Sequence, residues 1–189
     1  MPFSQSSQLS PILEYLEHLQ PTSILDVGTG MGQYGYLARN NLENINLFEV
    51  DGADARQTAK PEWQIIIDGI EGCKVYHTPV HDYAYNNVFW SDAMNVLPTL
   101  TRRYDLVLAV DILEHFHKGD GLRFIELVKQ VAQKAVVVST PKEFIEQEVE
   151  ANPYENHRSL WGSVDLINCG FKKFIDNPLS WIAVYQTET

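Results

Sequence analysis

A cluster of glycines directly after an apolar strand constrains the fold of this 189-residue chain more than any other feature. The stretch SILDVGTGMGQYGYLAR, Ser23 to Arg39, contains four glycines within the eight positions from Gly28 to Gly35. Glycine costs conformational entropy, so its repetition indicates a turn that needs positive φ angles or the close approach of another group. The pattern predicts a strand, a tight turn and a helix whose first backbone N–H groups face a ligand.

Strand-like and helix-like segments alternate along the rest of the chain. Short apolar runs typical of strands buried on both faces are separated by segments with apolar residues at helical spacing. This alternation predicts an open, mostly parallel sheet with helices on both faces. The predicted strands include SILDV (23–27), INLFEV (45–50), YDLVLAV (104–110) and AVVVST (135–140), with FKKFID (171–176) and SWIAVYQ (180–186) as a closing hairpin; the predicted helices begin at Ser10-Pro11, cover 33–41, and include 124–131.

The region between residues 51 and 87 is longer than a single crossover requires. Two of its segments have helical signals, one from residue spacing and one from a cap residue followed by proline. These segments are Trp63, Ile66, Ile67 and Ile70, ended by Gly72, and a second one that opens at Thr78-Pro79. We therefore expect one domain, 1–189, with an insertion-like helical region at about 53–87.

Charge and composition exclude several classes of partner. The net charge is −11 and the pI about 4.9, a balance that repels phosphate backbones and anionic membrane surfaces. The first ten residues lack the basic and apolar stretches of a signal peptide, and no apolar run reaches membrane-spanning length. The two cysteines, Cys73 and Cys169, form no motif. We expect a cytoplasmic protein that binds neither nucleic acid nor membranes.

Two classes of cofactor-binding turn are compatible with the glycines. Residues 30–35 satisfy the G-x-G-x-x-G pattern of dinucleotide enzymes, whereas residues 26–32 read D-x-G-x-G-x-G. In dinucleotide enzymes the first glycine directly follows the strand, and Gly28 occupies that position, but the third glycine is then replaced by Gln33. The acid at Asp26 also suits a ligand with a positively charged amine better than a pyrophosphate. The position of the glycines relative to the end of the strand therefore favours the D-x-G-x-G-x-G class of turn.

The stretch 26–32 resembles the first motif of class I S-adenosylmethionine-dependent methyltransferases, and the resemblance extends over about residues 11–186. Five later stretches are similar to segments of that family, in the same order: LFEVDG, FWSDAMNVLP, YDLVLAVDILEHF, VVVSTPKEF and NPYENHRSLWGSVDLINCGF. The resemblance implies a Rossmann-like α/β fold with a seven-stranded, mostly parallel sheet, a C-terminal antiparallel hairpin, and S-adenosyl-L-methionine as the cofactor.

The resemblance also implies which residues bind the cofactor. Asp51, at the end of the predicted second strand, would accept hydrogen bonds from both ribose hydroxyls. Asp92 would accept from the adenine amino group, the Ala93 N–H would donate to the ring, and Asp26 would face the amino-acid end, directly or through water. The full implied set is Asp26, Gly28, Gly30, Asp51, Asp92, Ala93 and Asp111.

Two histidines are candidate catalytic bases. His115 follows the predicted fourth strand and His157 follows the fifth, at the end of the sheet where open α/β folds bind ligands. A base is needed only if the acceptor must lose a proton. For each histidine a structural role, as a loop or cap residue, stays open.

We expect no metal site from the sequence. His77 and His81 have a ligand spacing, but Thr78-Pro79 begins a helix between them, so the two rings need not share a face. His115-x-His117 lacks further ligands, and STPKEF after the fifth strand does not complete the Asp and Asn cluster of metal-dependent catechol-type methyltransferases.

The function that these observations favour is S-adenosylmethionine-dependent methyl transfer to the oxygen or nitrogen of a small-molecule acceptor. Two alternatives from other classes are an NAD-dependent oxidoreductase and a non-catalytic S-adenosylmethionine-binding partner subunit. The sequence leaves the identity of the acceptor and the oligomeric state open.

Overall fold

The computed structural model describes residues 4–187, except for the side chain of residue 45. The first three residues of the segment in which we expect no signal peptide lie outside that range. The α-helices are α1 (Leu9–Leu19), α2 (Gln33–Glu43), α3 (Pro79–Ala84), α4 (Ala93–Val96), α5 (Lys118–Val131) and α6 (Ser163–Asn168). The strands are β1 (Ser23–Val27), β2 (Phe48–Asp51), β3 (Asp54–Gln57), β4 (Ile66–Ile70), β5 (Asn87–Phe89), β6 (Tyr104–Val110), β7 (Ala132–Pro141), β8 (Lys173–Ile175) and β9 (Ser180–Gln186).

Seven of these strands form one sheet in the order β5-β4-β1-β6-β7-β9-β8. The first five strands in that order run parallel, whereas β9 pairs antiparallel with both β7 and β8. The predicted α/β fold, with a mostly parallel sheet and a closing antiparallel hairpin, is confirmed. Because the parallel strands share one direction, the loops that follow β1, β4, β5, β6 and β7 meet at the same edge of the sheet.

The two faces of the sheet are covered by different helices. On one face α4, α5 and α6 share a buried cluster with Leu25, Val107 and Val136. On the other face α1, α2 and α3 pack with strand residues that include Ile24 and Leu106. β6 is buried over its whole length, as expected for a central strand covered on both sides.

The prediction of the second sheet strand is wrong. We expected INLFEV to pair beside β1, but residues 44–47 form a 3₁₀ helix and β2 pairs only with β3, in a separate hairpin that is exposed along both strands. The neighbour of β1 is β4, which lies in the segment predicted to be helical. Ile66, Ile67 and Ile70 do have helical spacing, but tertiary burial on both faces makes this short β-branched run a strand.

The region 53–87 is accordingly not a helical insertion, since it contains β3, the sheet strand β4 and the first residue of β5. The helix predicted at Thr78-Pro79 is confirmed as α3, with the Thr78 side chain capping it. The first helix begins one residue before Ser10, at Leu9, so Ser10 is not its cap. Within residues 4–187, no helix combines the length and apolar character needed to cross a membrane.

Candidate active site

The glycine turn joins β1 to α2 in the predicted way. Gly28, Gly30 and Gly32 have φ angles of 76°, 53° and 88°, which side chains rarely tolerate. A Cβ atom on Gly28 would also lie 2.2 Å from Cδ1 of Ile112, so the Ile112 side chain would have to move to admit one. The Gly28 N–H donates to the Ile70 carbonyl at 2.8 Å, which ties the turn to the end of β4.

A cavity of about 780 Å³ opens beside this turn, at the carboxyl edge of the parallel strands. Its volume lies within the range of ordinary small-molecule sites. Seven of the nine residues predicted for the site line it: Gly28, Gly30, Asp92, Ala93, Asp111, His115 and His157. Asp26 and Asp51 are not among the described residues that form its wall.

Asp26 lies buried beneath the turn. Its carboxylate accepts a hydrogen bond from the Tyr85 hydroxyl at 2.5 Å, and that hydroxyl accepts from the Gly35 N–H at 3.2 Å. Burial, only partly offset by the Tyr85 hydrogen bond, raises the pKa of Asp26 from 3.8 to about 6. In this geometry Asp26 supports the turn from below, and its contact with the amino-acid end of a cofactor stays a prediction.

Asp51 does not occupy the position from which its ribose contact was inferred. The inference required Asp51 to end the sheet strand next to β1, but it ends β2 in the exposed hairpin outside that sheet. The reason is the pairing of β4 with β1, which leaves no place for β2 at that edge. The expectation for Asp51 is therefore corrected.

Glu71 occupies the position expected of Asp51. It directly follows β4, lies 7% exposed in the cavity wall, and was missed because its strand was read as a helix. One carboxylate oxygen accepts from the Gly30 N–H at 2.8 Å and the other from the Cys73 N–H at 2.8 Å. A carboxylate has about four acceptor positions, so two remain for a ligand. Burial raises the pKa of Glu71 above its ordinary value.

Asp92 and Ala93 line the cavity near the loop that follows β5. The Asp92 carboxylate accepts from the Met94 N–H at 2.7 Å and so caps the short helix α4. Capping of this kind, by a side-chain oxygen of the residue before the helix, is common. It leaves further acceptor positions on the carboxylate for a ligand.

Asp111 follows β6 and ties the N-terminal segment to the cavity edge. The Gln8 side-chain amide donates to both of its carboxylate oxygens, at 3.1 and 2.9 Å, and the Ser139 hydroxyl donates at 2.9 Å. The neighbouring Gln5 lines the cavity, and its buried Oε1 has no hydrogen-bond partner among the described residues. This oxygen is a free acceptor for a ligand donor such as an amine.

The loop after β7 folds over the opposite side of the cavity. Its early part, residues 144–149, forms neither helix nor strand. Farther on, the Arg158 and Ser159 N–H groups both donate to the Glu114 carbonyl, at 2.7 and 3.1 Å. These bonds fasten the loop to the segment that follows β6.

These hydrogen bonds between the two segments bring His115 and His157 together. The rings of His115 and His157 have centroids 5.0 Å apart, and Glu114 lies beside them, with one potential ligand atom of each residue within 4.8 Å of the others. Burial lowers the pKa of His115, and the neighbouring His157 lowers it further. Burial, followed by the charge of Asp111, raises the pKa of Glu114 well above its ordinary value.

His77 and His81, the other candidate pair of metal ligands, form hydrogen bonds with other side chains and with the backbone. Nε2 of His77 lies 2.9 Å from the Asp82 carboxylate, whereas His81 contacts Thr78 through Nδ1 and Thr29 through Nε2. Among residues 4–187, the group formed by Glu114, His115 and His157 is the one with the composition and spacing of metal ligands. No spacing in the sequence joins residues 115 and 157, so this group could be found only from the fold.

No protein-family model matches the sequence, and no curated protein matches it. Solved structures do match, with low sequence identity over nearly the whole chain.

Three of these structures illustrate the similarity. Magnesium protoporphyrin IX methyltransferase from Synechocystis PCC 6803 with bound SAM is 14% identical, with a TM-score of 0.60 over 96% of this chain and 79% of that one. A SAM-dependent methyltransferase from Archaeoglobus fulgidus is 15% identical, with a TM-score of 0.62 over 96% and 95%. The N-terminal domain of EvdMO1, in the presence of SAH and D-fucose, is 16% identical, with a TM-score of 0.60 over 98% and 84%. The chain therefore has the fold of the class I S-adenosylmethionine-dependent methyltransferases.

Proposed function

We propose that this protein is an enzyme that transfers a methyl group from S-adenosylmethionine to the oxygen or nitrogen of a small molecule. The observation that carries the proposal is the buried carboxylate of Glu71 beside Gly30, at the end of the strand next to β1. In open α/β folds a carboxylate at this position binds the hydroxyls of a ribose. The solved structures of the same fold that hold SAM or SAH support the choice of cofactor.

The residues around the cavity fit the parts of that cofactor. Glu71 replaces Asp51 as the proposed acceptor for the two ribose hydroxyls, because two of its acceptor positions are free. Asp92 and the Ala93 N–H are proposed to contact the adenine. Gly28 and Gly30 have positive φ angles that favour glycine. Because neither residue has a side chain, the turn leaves room for the methionine and ribose portion of the cofactor.

The amino-acid end of the cofactor carries a positive amine and is proposed to lie near the N-terminal segment. Gln5 offers a buried amide oxygen there that has no hydrogen-bond partner among residues 4–187, and the negative charge of Asp111 lies at the same edge. Asp26 acts from beneath the turn through its hydrogen bond to Tyr85. These acceptors favour a ligand with an amine over a pyrophosphate.

When bound, S-adenosylmethionine supplies an activated methyl group, so transfer forms a bond from the acceptor atom to the methyl carbon as the sulfur–methyl bond breaks. The chain's own task is to align the acceptor and to exclude water. His115 and His157 line the cavity under the loop after β7, where an acceptor can enter. We propose that this side of the cavity holds the acceptor and that these histidines hold or receive its proton.

A substitution of His157 separates the acceptor side from the cofactor side. His157→Gln keeps much of the side chain's size and removes the imidazole that could hold or receive a proton. We expect unchanged affinity for S-adenosylhomocysteine and turnover lower by roughly 10²–10⁴ where proton transfer belongs to the transition state. Normal turnover by the folded variant would remove His157 from the reaction.

Binding and transfer experiments distinguish the proposal from its alternatives. Calorimetric titration of the wild-type chain with S-adenosylhomocysteine should give saturable binding, and NADH should not compete. An acceptor panel with mass-spectrometric detection should then identify a product heavier by one methylene. Binding of NADH alone would favour an oxidoreductase, whereas cofactor binding without transfer across the panel would favour a non-catalytic partner subunit.

The net charge and the state of the cysteines support our proposals about partners and location. The net charge of −11 argues against nucleic acid as a partner. Both cysteines are free thiols, which supports a reducing compartment such as the cytoplasm.

A further inference from the structure

Three side chains with the chemistry of metal ligands converge in the cavity wall outside the proposed cofactor contacts. Glu114 and His115 belong to the 3₁₀ helix Leu113–His115 that follows β6, and His157 belongs to the loop after β7. One potential ligand atom from each lies within 4.8 Å of the other two. A carboxylate with two imidazoles is a donor set used for first-row divalent transition metals.

One oxygen of the buried Glu114 carboxylate has no hydrogen-bond donor at ordinary distance among the described residues, although the Thr140 hydroxyl lies near enough to lower the pKa of this carboxyl. The residue is 4% exposed, and its Oε2 atom has no hydrogen-bond partner among residues 4–187. A buried carboxylate oxygen without a donor costs considerable free energy, so buried carboxylates are paired with donors or coordinate metals. Among residues 4–187, Glu114 forms no ion pair, and the nearby Asp111 adds further negative charge. The position therefore favours a cation.

Both histidines are held in the orientation that ligation needs. Nδ1 of His115 lies 3.3 Å from the Asn156 carbonyl oxygen, and Nδ1 of His157 lies 2.6 Å from the Ile145 carbonyl oxygen. A carbonyl oxygen can only accept, so in the neutral rings Nδ1 carries the proton and Nε2 has the free lone pair. A backbone carbonyl that orients a histidine in this way is the usual outer support of a metal-ligating imidazole.

We propose that Glu114, His115 and His157 bind one divalent transition-metal ion, of the class of Zn²⁺, Mn²⁺, Fe²⁺ or Co²⁺. Two imidazoles argue against Mg²⁺ and Ca²⁺, which take oxygen ligands. Metal–ligand bonds of about 2.1 Å bring neighbouring ligand atoms to roughly 3–3.5 Å, so the three side chains close around the ion. This proposal replaces the expectation that the protein has no metal site.

The site also narrows the class of acceptor. Three protein ligands leave coordination positions open toward the cavity, and a bound ion lowers the pKa of a coordinated hydroxyl. An acceptor with a hydroxyl group would then bind to the ion and release its proton to water, with His115 and His157 acting as metal ligands instead of receiving that proton. This role at the acceptor rests on the proposed methyl transfer, whereas the binding of the metal does not.

The test is direct metal binding to the full-length protein after chelator treatment and desalting. Calorimetry with Zn²⁺ and visible absorption spectroscopy with Co²⁺ should both give one equivalent of binding. His157→Gln and Glu114→Gln should each weaken binding by at least about tenfold. The matched control is His18→Gln, which removes an exposed histidine on α1, and it should bind as the wild type does.

The outcomes separate the metal site from the proposed function. Absence of stoichiometric binding by the wild type, or equal binding by His157→Gln, would overturn the metal site. S-adenosylhomocysteine is titrated into the same metal-free samples. Cofactor binding without metal binding would refute the metal site and leave the proposed function standing, whereas metal binding without cofactor binding would support the metal site and count against that function. His157→Gln keeps the test valid if Glu114→Gln fails to fold.

Discussion

Replacing Glu71 by alanine is expected to weaken S-adenosylhomocysteine binding without abolishing the fold. The Glu71 carboxylate already accepts from the Gly30 and Cys73 N–H groups, each at 2.8 Å, so it is fixed in place before a ligand arrives. Its two remaining acceptor positions suit the two ribose hydroxyls. One hydrogen bond to a charged group contributes about 1.5–3 kcal/mol, so the variant should lose at least roughly 10- to 150-fold in affinity.

The same substitution has a separate effect on stability. Gly30 and Cys73 lose the acceptor of their N–H groups, which costs about 1 kcal/mol for each group that water cannot reach. Urea unfolding of Glu71→Ala therefore has to accompany calorimetry, so that weakened binding is measured on folded protein. Glu71→Gln is a second variant, which removes the charge but keeps one oxygen for a backbone donor.

Asp51→Ala is the matched control for both variants. Asp51 lies on the exposed hairpin of β2 and β3, outside the seven-stranded sheet, so its removal should leave affinity unchanged. Wild-type affinity in both Glu71 variants would refute the reasoning. A loss confined to Asp51→Ala would show that the hairpin, and not the end of β4, binds the ribose.

Three further predictions follow from backbone angles, burial and packing. Gly30→Val places a branched side chain at a φ of 53°, so the variant should fold with reduced stability. It should also fail to bind S-adenosylhomocysteine in calorimetry, and normal binding would show that the turn has only a structural role. Because Asp26 has a pKa of about 6 in the folded state against 3.8 ordinarily, the native state binds more protons between about pH 4 and 6, and stability falls as pH rises through that window. In urea unfolding, the wild type should gain about 1 kcal/mol over Asp26→Asn between pH 7 and 5.5, and a flat difference would contradict the shifted pKa. Gly121→Ala puts a Cβ atom 2.4 Å from the Trp161 ring and should cost about 1–3 kcal/mol in urea unfolding, whereas Gly119→Ala on the same helix meets nothing within 4 Å and should cost nothing.

Local signals account for the parts of the fold that the sequence predicts well. The glycine turn, β6, β7 and the closing hairpin each combine a short apolar run with a clear boundary, and all are present in the structure. Gly28 and Gly30 have the positive φ angles that their repetition indicated. These features depend on residues close together in the chain, so they can be recognised without knowledge of the partner strands.

The second sheet strand depends on tertiary context and was therefore misplaced. The run IIIDGI around β4 has helical spacing, but it contains four β-branched residues and a glycine within six positions, which is the signal that favoured a strand. Gly69 is required there because a Cβ atom would lie 2.5 Å from the Thr29 side chain. Because the second sheet strand was predicted at the wrong segment, the ribose-binding position was assigned to Asp51, whereas Glu71 occupies it.

The proposed metal group shows a second limit of local reasoning. His115 and His157 were each found as candidates because each follows a predicted strand. Their meeting, and the part played by Glu114, depends on hydrogen bonds that fasten the loop after β7 to the segment after β6. No fixed spacing encodes such a contact.

A crystal structure of the wild-type protein with S-adenosylhomocysteine would show whether Glu71 and the glycine turn form the cofactor site. We expect the ligand to fill the cavity beside the glycine turn, with its ribose hydroxyls on the Glu71 carboxylate and its adenine beside Asp92 and Ala93. The sulfur should then face the side of the cavity that His115 and His157 line. A ligand bound at the β2–β3 hairpin, or one in the cavity whose ribose does not contact Glu71, would rule out this site.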